Sequence, residues 1–371
     1  MEKVKISPYQ LFTLIVLFEL GSALVVALGV TAKKDAWLAI LMGLVLGLAV
    51  FLVNNALYRS YPDQPLTGYV RKIWGPYIGW VVGLAYVWYF TYIASRVLRD
   101  FIDLLITLYD LTPEFVLGTG LMVVMIYTLY LGIEVLARLG ELFIVVMISL
   151  GFIASLFLWM TETVQIERLL PVLENGWKPV LMTVFPQTLT VPFGEMIVFS
   201  MIFPYLNRPK KALPIGLMGM AFSGLILTYT ISLNIAVLGV DIMGRSPFPL
   251  LGTVGKITVA NILQNLNVIA LLTLIIGGFF KISIFFYAAV LGVTDLFRMK
   301  DTQQMVVPLG LVILFFSIAI ASDFSLHIEE GLKVVPLYLH LPFQIGIPIL
   351  LFLTNLFRKR RNKRKTRSAA G

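Results

Sequence analysis

The chain has 371 residues, 59% of them hydrophobic and only 13% charged, with a formal net charge of +9 and a mean hydropathy of +0.91. Soluble globular domains are closer to half apolar and a quarter charged, so the composition excludes a water-soluble protein and predicts an all-α, polytopic membrane protein. There is no cysteine for disulfides or thiol chemistry, and His327 and His340 alone make no metal-ligand cluster. The sequence also lacks a phosphate loop, a dinucleotide glycine fingerprint, HExxH and a nucleophile elbow, so neither an enzyme nor a cofactor or metal is expected.

A helix crossing a bilayer needs roughly 20 apolar residues. Ten stretches qualify: Ile6–Val30, Ala36–Tyr58, Ile78–Leu108, Phe115–Glu134, Gly140–Met160, Val184–Tyr205, Pro214–Leu238, Asn267–Phe297, Val306–Ala321 and Val334–Phe357. The start, MEKVKISPYQ, lacks a small-residue cleavage site after its first apolar run, which reads as a retained span rather than a signal peptide. The longest connections, Thr161–Thr183 and Gly239–Leu266, mix apolar and polar residues and have room for short interfacial helices. Ten spans place both ends on one side. That side carries 19 Lys and Arg against 7 on the other, so both termini are expected in the cytoplasm. Eight of the 19 follow the last span directly, in Arg358–Arg367, and read as an orientation signal and lipid-headgroup anchor rather than a nucleic-acid surface.

Two spans are interrupted. The first, LIVLFELGSALVVALG, holds Gly21-Ser22 at its middle with Glu19 beside them; the sixth holds Pro192-Phe193-Gly194-Glu195. Lying five spans apart, they cross in opposite directions, the pattern of an inverted repeat with a site at its interface. The expected domain is one membrane body over 1–357, with repeats at about 6–160 and 184–357, followed by a basic cytoplasmic tail over 358–371. A break frees backbone N–H and C=O groups, which must then face protein or a water-filled cavity. Freed N–H groups favour a carboxylate and freed carbonyls an ammonium, so a zwitterionic amino acid suits both ends. The competing reading of Gly21-Ser22 is close helix packing. Gly43 and Gly47, in GLVLG of the second span, read as packing too.

Charges at membrane depth cost at least ~2.5–3.5 kcal/mol each and so call for partners or tasks. Lys281 lies near the centre of the eighth span, in IIGGFFKISIFFYAAV. It either meets a ligand carboxylate or pairs with Glu19 or Glu195. Glu195 is in turn a proton carrier, a partner for a ligand ammonium, or the counter-ion of Lys281, and Glu19 has the same options. Arg96, Arg99, Asp100 and Asp103 cluster in the outer part of the third span; Arg99 and Asp103, four apart, form a structural pair or belong to an outer gate.

The chain resembles the spore-germination permeases, the B subunits of nutrient germinant receptors in the amino acid–polyamine–organocation superfamily. The resemblance covers essentially the whole sequence. It is carried by Ser7-Pro8-Tyr9-Gln10, by Leu20-Gly21-Ser22, and by the block Leu170-Pro171-Val172-Leu173-Glu174-Asn175-Gly176-Trp177-Lys178-Pro179. Phe193-Gly194-Glu195 and the basic Asn207-Arg208-Pro209-Lys210-Lys211 add to it. It implies ten helices in a five-plus-five inverted repeat with helices 1 and 6 broken. It further implies a small germinant, often an amino acid, and two partners, a larger membrane A-type subunit and a C-type lipoprotein, in the spore inner membrane. The ligand site implied lies between spans one, three, six and eight. Gly21, Ser22 and Gly194 lie at its breaks, Tyr89, Ile93 and Phe193 are its walls, and Glu195 and Lys281 are its charges, with Glu19 a possible partner. Where carriers of this fold use a sodium ion beside spans one and eight, the resemblance implies that Lys281 replaces it here, which argues against sodium coupling. An active, proton-coupled amino-acid transporter is the alternative function, and a conduit for ions ranks below both.

Overall fold

The computed structural model describes residues 5–107, 111–257, 267–321 and 324–368, with side chains to Arg360. The end of the third expected span at Leu108, positions 258–266 of the Gly239–Leu266 connection, and most of the basic tail's side chains lie outside the described residues. Among the described residues the protein is helical, with no strand beyond one isolated bridge.

The first helix, α1 (Pro8–Leu20), starts where the sequence provides a cap. Ser7 Oγ accepts from the Gln10 N–H at 3.1 Å, Gln10 Oε1 accepts from the Ser7 N–H at 2.8 Å, and Pro8 occupies the first helical position, where a missing N–H costs nothing. The Ser-Pro-Tyr-Gln signature is thus a capping box. The helix stops at Gly21, whose φ of −35° and ψ of −102° leave the helical region, and Ser22–Leu24 continue as a tighter 3₁₀ turn.

Next come α2 (Ala36–Ser60), a short helix α3 (Leu66–Trp74), α4 (Pro76–Ile106), α5 (Glu114–Tyr130) and α6 (Ile133–Met160). A connection containing α7 (Trp177–Thr183) leads into the second broken span. There Phe185 leaves helical geometry, Pro186 and Pro192 lack an N–H to donate, and Phe193–Met201 winds as a 3₁₀ helix, buried throughout. The second half adds α8 (Ala212–Leu238), two short helices α9 (Val240–Arg245) and α10 (Pro249–Val254), then α11 (Asn267–Leu296) and α12 (Gln303–Ala319). The final passage runs through α13 (Phe324–Glu329) and widened, π-like turns over Pro336–Gly346, with Pro342 inside, into α14 (Ile347–Ser368).

Among the described residues six helices are long and apolar enough to cross a membrane, those centred on α2, α4, α6, α8, α11 and the last passage, and the bent pair of α12 with the α13 segment makes a seventh if it is one span; α1 with its 3₁₀ turn and α5 are shorter apolar helices. Burial separates scaffold from periphery. In α4 and α11, 67% of the apolar stretch is buried, against 22% in α6 and the last passage. These two central helices pack along each other, and α1 lies against α6, α8 and α11. Glycine sets the closest approaches. A Cβ on Gly43 would sit 2.6 Å from Thr188 Oγ1, and one on Gly47 2.3 Å from Phe193 Cβ, so the GLVLG stretch packs α2 directly onto the broken sixth span.

The two ends of the bundle are tied differently. At the end carrying the termini, Ile6 bridges to the segment after the sixth span through its N–H to the Tyr205 carbonyl (2.8 Å) and its carbonyl to the Asn207 N–H (3.0 Å). Arg71 of α3 pairs with Asp295 of α11 at 2.6 Å, and Arg358 reaches the Lys72 carbonyl at 2.8 Å. At the opposite end, Lys34 pairs with Glu174 at 2.7 Å, the Leu173 N–H donates to Asp35 at 2.9 Å, and Arg168 caps the Val237 carbonyl. The Leu-Pro-Val-Leu-Glu block is therefore strapped to the connection after the first span, while Arg168 just ahead of it ties the same segment to the end of α8.

Candidate functional site

The breaks and the charged side chains at membrane depth converge. Lys281 of α11 and Glu195 of the broken sixth span form an ion pair at 2.5 Å, with 0% and 3% of their side chains exposed. The Lys281 ammonium also lies 5.2 Å from the centre of the Phe18 ring, a favourable cation–π distance. Of the two glutamates considered beside a ligand carboxylate, the structure pairs Lys281 with Glu195. Glu19 is fully buried and within electrostatic reach of both, yet neither of its carboxyl oxygens has a hydrogen-bond partner among the described residues. One cation thus faces two buried carboxyl groups.

Above the pair, towards the end opposite the termini, is a small cavity of about 60 Å³. Ser22, Ile93, Glu195 and His340 line it, and Arg96, Asp100 and His327 lie towards its mouth. Its closure is polar. Arg96 donates to the His327 carbonyl and lies 3.5 Å from Glu330, and His327 Nε2 is 2.8 Å from Asp100 Oδ1. These contacts join α4 to the α13 segment across the mouth. The expected Arg99–Asp103 pair is present at 3.0 Å and extends to Glu114 at 2.9 Å, outside the cavity lining.

The remaining predicted residues fall behind this lining. Tyr89 is fully buried; its hydroxyl accepts from Gln344 Nε2 at 2.9 Å and shares a hydrogen bond with His340 Nδ1 at 2.7 Å. Its ring stacks on Phe343 at 4.8 Å. Tyr89 is therefore one layer back, and His340 and Gln344 present its network towards the cavity and Gly194. A Cβ on Gly194 would sit 2.2 Å from Gln344 Oε1, so glycine there lets the final passage approach the break. Phe193 faces Gly47 of α2 rather than the cavity. Gly21 packs on α11, where an added Cβ would meet Lys281 Cβ at 2.8 Å and the Gly277 carbonyl at 2.9 Å. Both readings of Gly21 thus hold in part: it interrupts α1, and it is a contact glycine.

Sequence reasoning missed His340 and Gln344 and read Arg96 and Asp100 only as part of an outer cluster. The available signal was the proline within Leu339-His340-Leu341-Pro342-Phe343-Gln344, because widened helical turns recur at functional positions. Among the described residues no group of three or more His, Asp or Glu side chains is placed to hold a metal ion.

Comparison with known proteins agrees with this architecture. A family model described as spore germination protein matches residues 5–325. Spore germination protein KB of Bacillus subtilis (strain 168) is 46% identical over 98% of both chains. YndE of the same organism is 24% identical over 90% of both, and spore germination protein XB of Bacillus anthracis is 20% identical over 79% of this chain and 81% of that one. Among solved structures, MhsT in complex with L-phenylalanine superposes with a TM-score of 0.69 at 15% identity, covering 95% of this chain and 90% of that one. That likeness shows the fold the two chains share. With the family model and the near full-length identity together, the chain belongs to the spore-germination permease family.

Proposed function

We propose that the chain is the ligand-binding membrane subunit of a nutrient germinant receptor, and that its ligand is a small zwitterion, an amino acid, held between helices 1, 3, 6 and 8. The observation that carries this reading is the buried Lys281–Glu195 pair beneath a small polar cavity at two helix breaks. A buried ion pair is a poor stabiliser compared with apolar packing of the same volume, so its retention points to a task. A ligand carboxylate competes with Glu195 for Lys281, and a ligand ammonium competes with Lys281 for Glu195. An amino acid therefore replaces one ion pair with two and leaves no buried charge unpaired. Ser22 and Ile93 then contact the ligand directly, while Tyr89, Gly194 and Phe193 hold the wall behind it.

In this reading the germinant enters past Arg96, Asp100 and His327, from the outer side of the spore inner membrane, with both termini in the cytoplasm. Binding shifts the population of two bundle arrangements, which requires unequal affinity for them. A larger membrane A-type subunit and a C-type lipoprotein read the shift. The transporter fold supports one rival, active proton-coupled uptake of the same ligand through the same site. Flux of labelled ligand into liposomes holding the purified chain separates the two, because a receptor binds without net flux.

The test is thermal unfolding of the detergent-purified chain against amino acids, sugars and nucleosides. Ligand at 100 times its Kd stabilises the folded state by about 2.7 kcal/mol, a readable shift. The expected hit is an amino acid whose shift is lost in Lys281→Met and Glu195→Gln. A hit retained at full affinity in both variants places binding elsewhere, and a hit from an uncharged ligand refutes the zwitterion.

A further inference from the structure

A second, larger cavity lies between α6 and α8 in the half of the bundle away from the termini, with a volume of about 620 Å³. Its floor is Leu20 and Leu24, on either side of the break in the first span, with Leu158 and Ala270; apart from Leu24 at 6%, these are about 1% exposed or less. Its rim is Phe152, Leu156, Trp159 and Tyr229, between 44% and 68% exposed. Among the described residues no charged side chain lines it; its polar lining is the Ser155, Thr230 and Thr273 hydroxyls and the Trp159–Tyr229 pair, and the Thr273 hydroxyl donates to the Ile269 carbonyl at 2.8 Å. An amino acid or an ion finds no charge there to pair with.

A packed interior does not leave a void of this size, and an apolar cavity does not fill with water. The groove opens on α6, one of the helices least buried by the rest of the protein. Its upper end is marked by the Trp159 indole donating to the Tyr229 hydroxyl at 3.2 Å, the amphipathic pair expected at headgroup level. From Trp159 the lining descends along α6 to Met147, twelve residues or about 18 Å of helix, close to one leaflet of a ~30 Å hydrocarbon core. Volume, polarity, lateral opening and depth all fit the same occupant.

We propose that this groove binds one acyl chain of a phospholipid from the leaflet facing away from the termini. The bound chain packs on Leu20 and Leu24 and so buttresses the break that α11 also contacts at Gly21. The ligand site and the bilayer then share the broken first span.

The test uses the full-length chain in phosphatidylglycerol vesicles containing a small fraction of the same lipid with a diazirine in its acyl chain. After irradiation, peptides are mapped for adducts. Adducts are expected on the floor, at Leu20, Leu158 and Ala270, as well as on lipid-facing Leu311 and Phe315 of α12. Gly151→Phe supplies the control: Gly151 lines the groove and an added Cβ there meets nothing within 4 Å, so the side chain starts from open space and its ring obstructs the mouth. In that variant floor adducts should fall at least tenfold while those on α12 persist. Adducts on the rim and α12 but never on the floor overturn the proposal, as do floor adducts unchanged in Gly151→Phe. Floor labelling lost when the chain is assembled with its partner subunits assigns the groove to a protein helix and also overturns it.

Discussion

Removing one member of the Lys281–Glu195 pair should cost far more than removing both. Each side chain is at most 3% exposed, so a lone survivor is a buried charge without its partner, worth about 3–5 kcal/mol of destabilisation. Replacing both with uncharged groups of similar shape, Lys281→Met with Glu195→Gln, deletes the pair and its desolvation penalty together and should recover most of that loss. The single changes should not be equal. Without Glu195, Lys281 still has the Glu19 carboxyl within electrostatic reach; without Lys281, two buried carboxyl groups have no cation. Lys281→Met should therefore be the more damaging. At roughly 2 °C per kcal/mol, the low end for a large domain, the singles should lower the melting temperature by about 6–10 °C and the double variant by less than half of that. Melting of the four proteins in one detergent, followed by a double-mutant cycle, reads both claims. Additive losses, or single variants that melt like the parent, refute the premise that the pair is a closed, mutually dependent unit.

Other consequences follow from particular contacts. Tyr89→Phe leaves Gln344 Nε2 and His340 Nδ1 without their shared partner and should cost about 1–3 kcal/mol, visible as a lower melting temperature with α-helical circular dichroism intact. Gly47→Leu places a side chain where even a Cβ would be 2.3 Å from Phe193, and should abolish accumulation in the membrane on immunoblots, whereas Gly151→Leu at an open position should accumulate normally. Lys34→Ala breaks an ion pair whose members are 27% and 48% exposed, so its effect on melting should stay within about 1 kcal/mol and shrink further in high salt. Arg96→Lys keeps the charge near Glu330 but loses the forked geometry that reaches the His327 carbonyl. Ligand dissociation should then quicken in a stopped-flow displacement assay while melting changes little.

How far the sequence could be read depended on the kind of information each feature needs. The helical membrane body and the two breaks were legible because Pro192, Gly194 and Gly21 act on the backbone locally. The Gly43 and Gly47 contacts were legible too, as small residues at helical spacing on an apolar span. What lay beyond reach was direction. Once helical phase is lost at Phe185 and the chain winds as 3₁₀ turns from Phe193, spacing no longer tells which way a side chain points. Phe193 therefore turns to α2 instead of to the cavity. Lys281 had two candidate carboxyl groups, and only the packing of α11 on the two broken spans decides between them. His340 and Gln344 escaped because they belong to a passage that, by hydropathy, looks like an ordinary final anchor.

The short bridge at the amino terminus has a mechanical consequence. Two main-chain hydrogen bonds join Ile6 to Tyr205 and Asn207, and Lys5 adds a third contact to the Pro204 carbonyl at 2.8 Å. The near ends of the two broken spans are thereby stitched together, and they can travel only as a single lever unless the stitch is opened. A motion that swings one broken half-helix alone must first sacrifice these bonds, whereas a motion of both together spares them, although a shift against α11 must still part Lys281 from Glu195. The stitched pair thus moves as one body, and spin labels at Lys5 and Asn207 should keep a fixed separation through it.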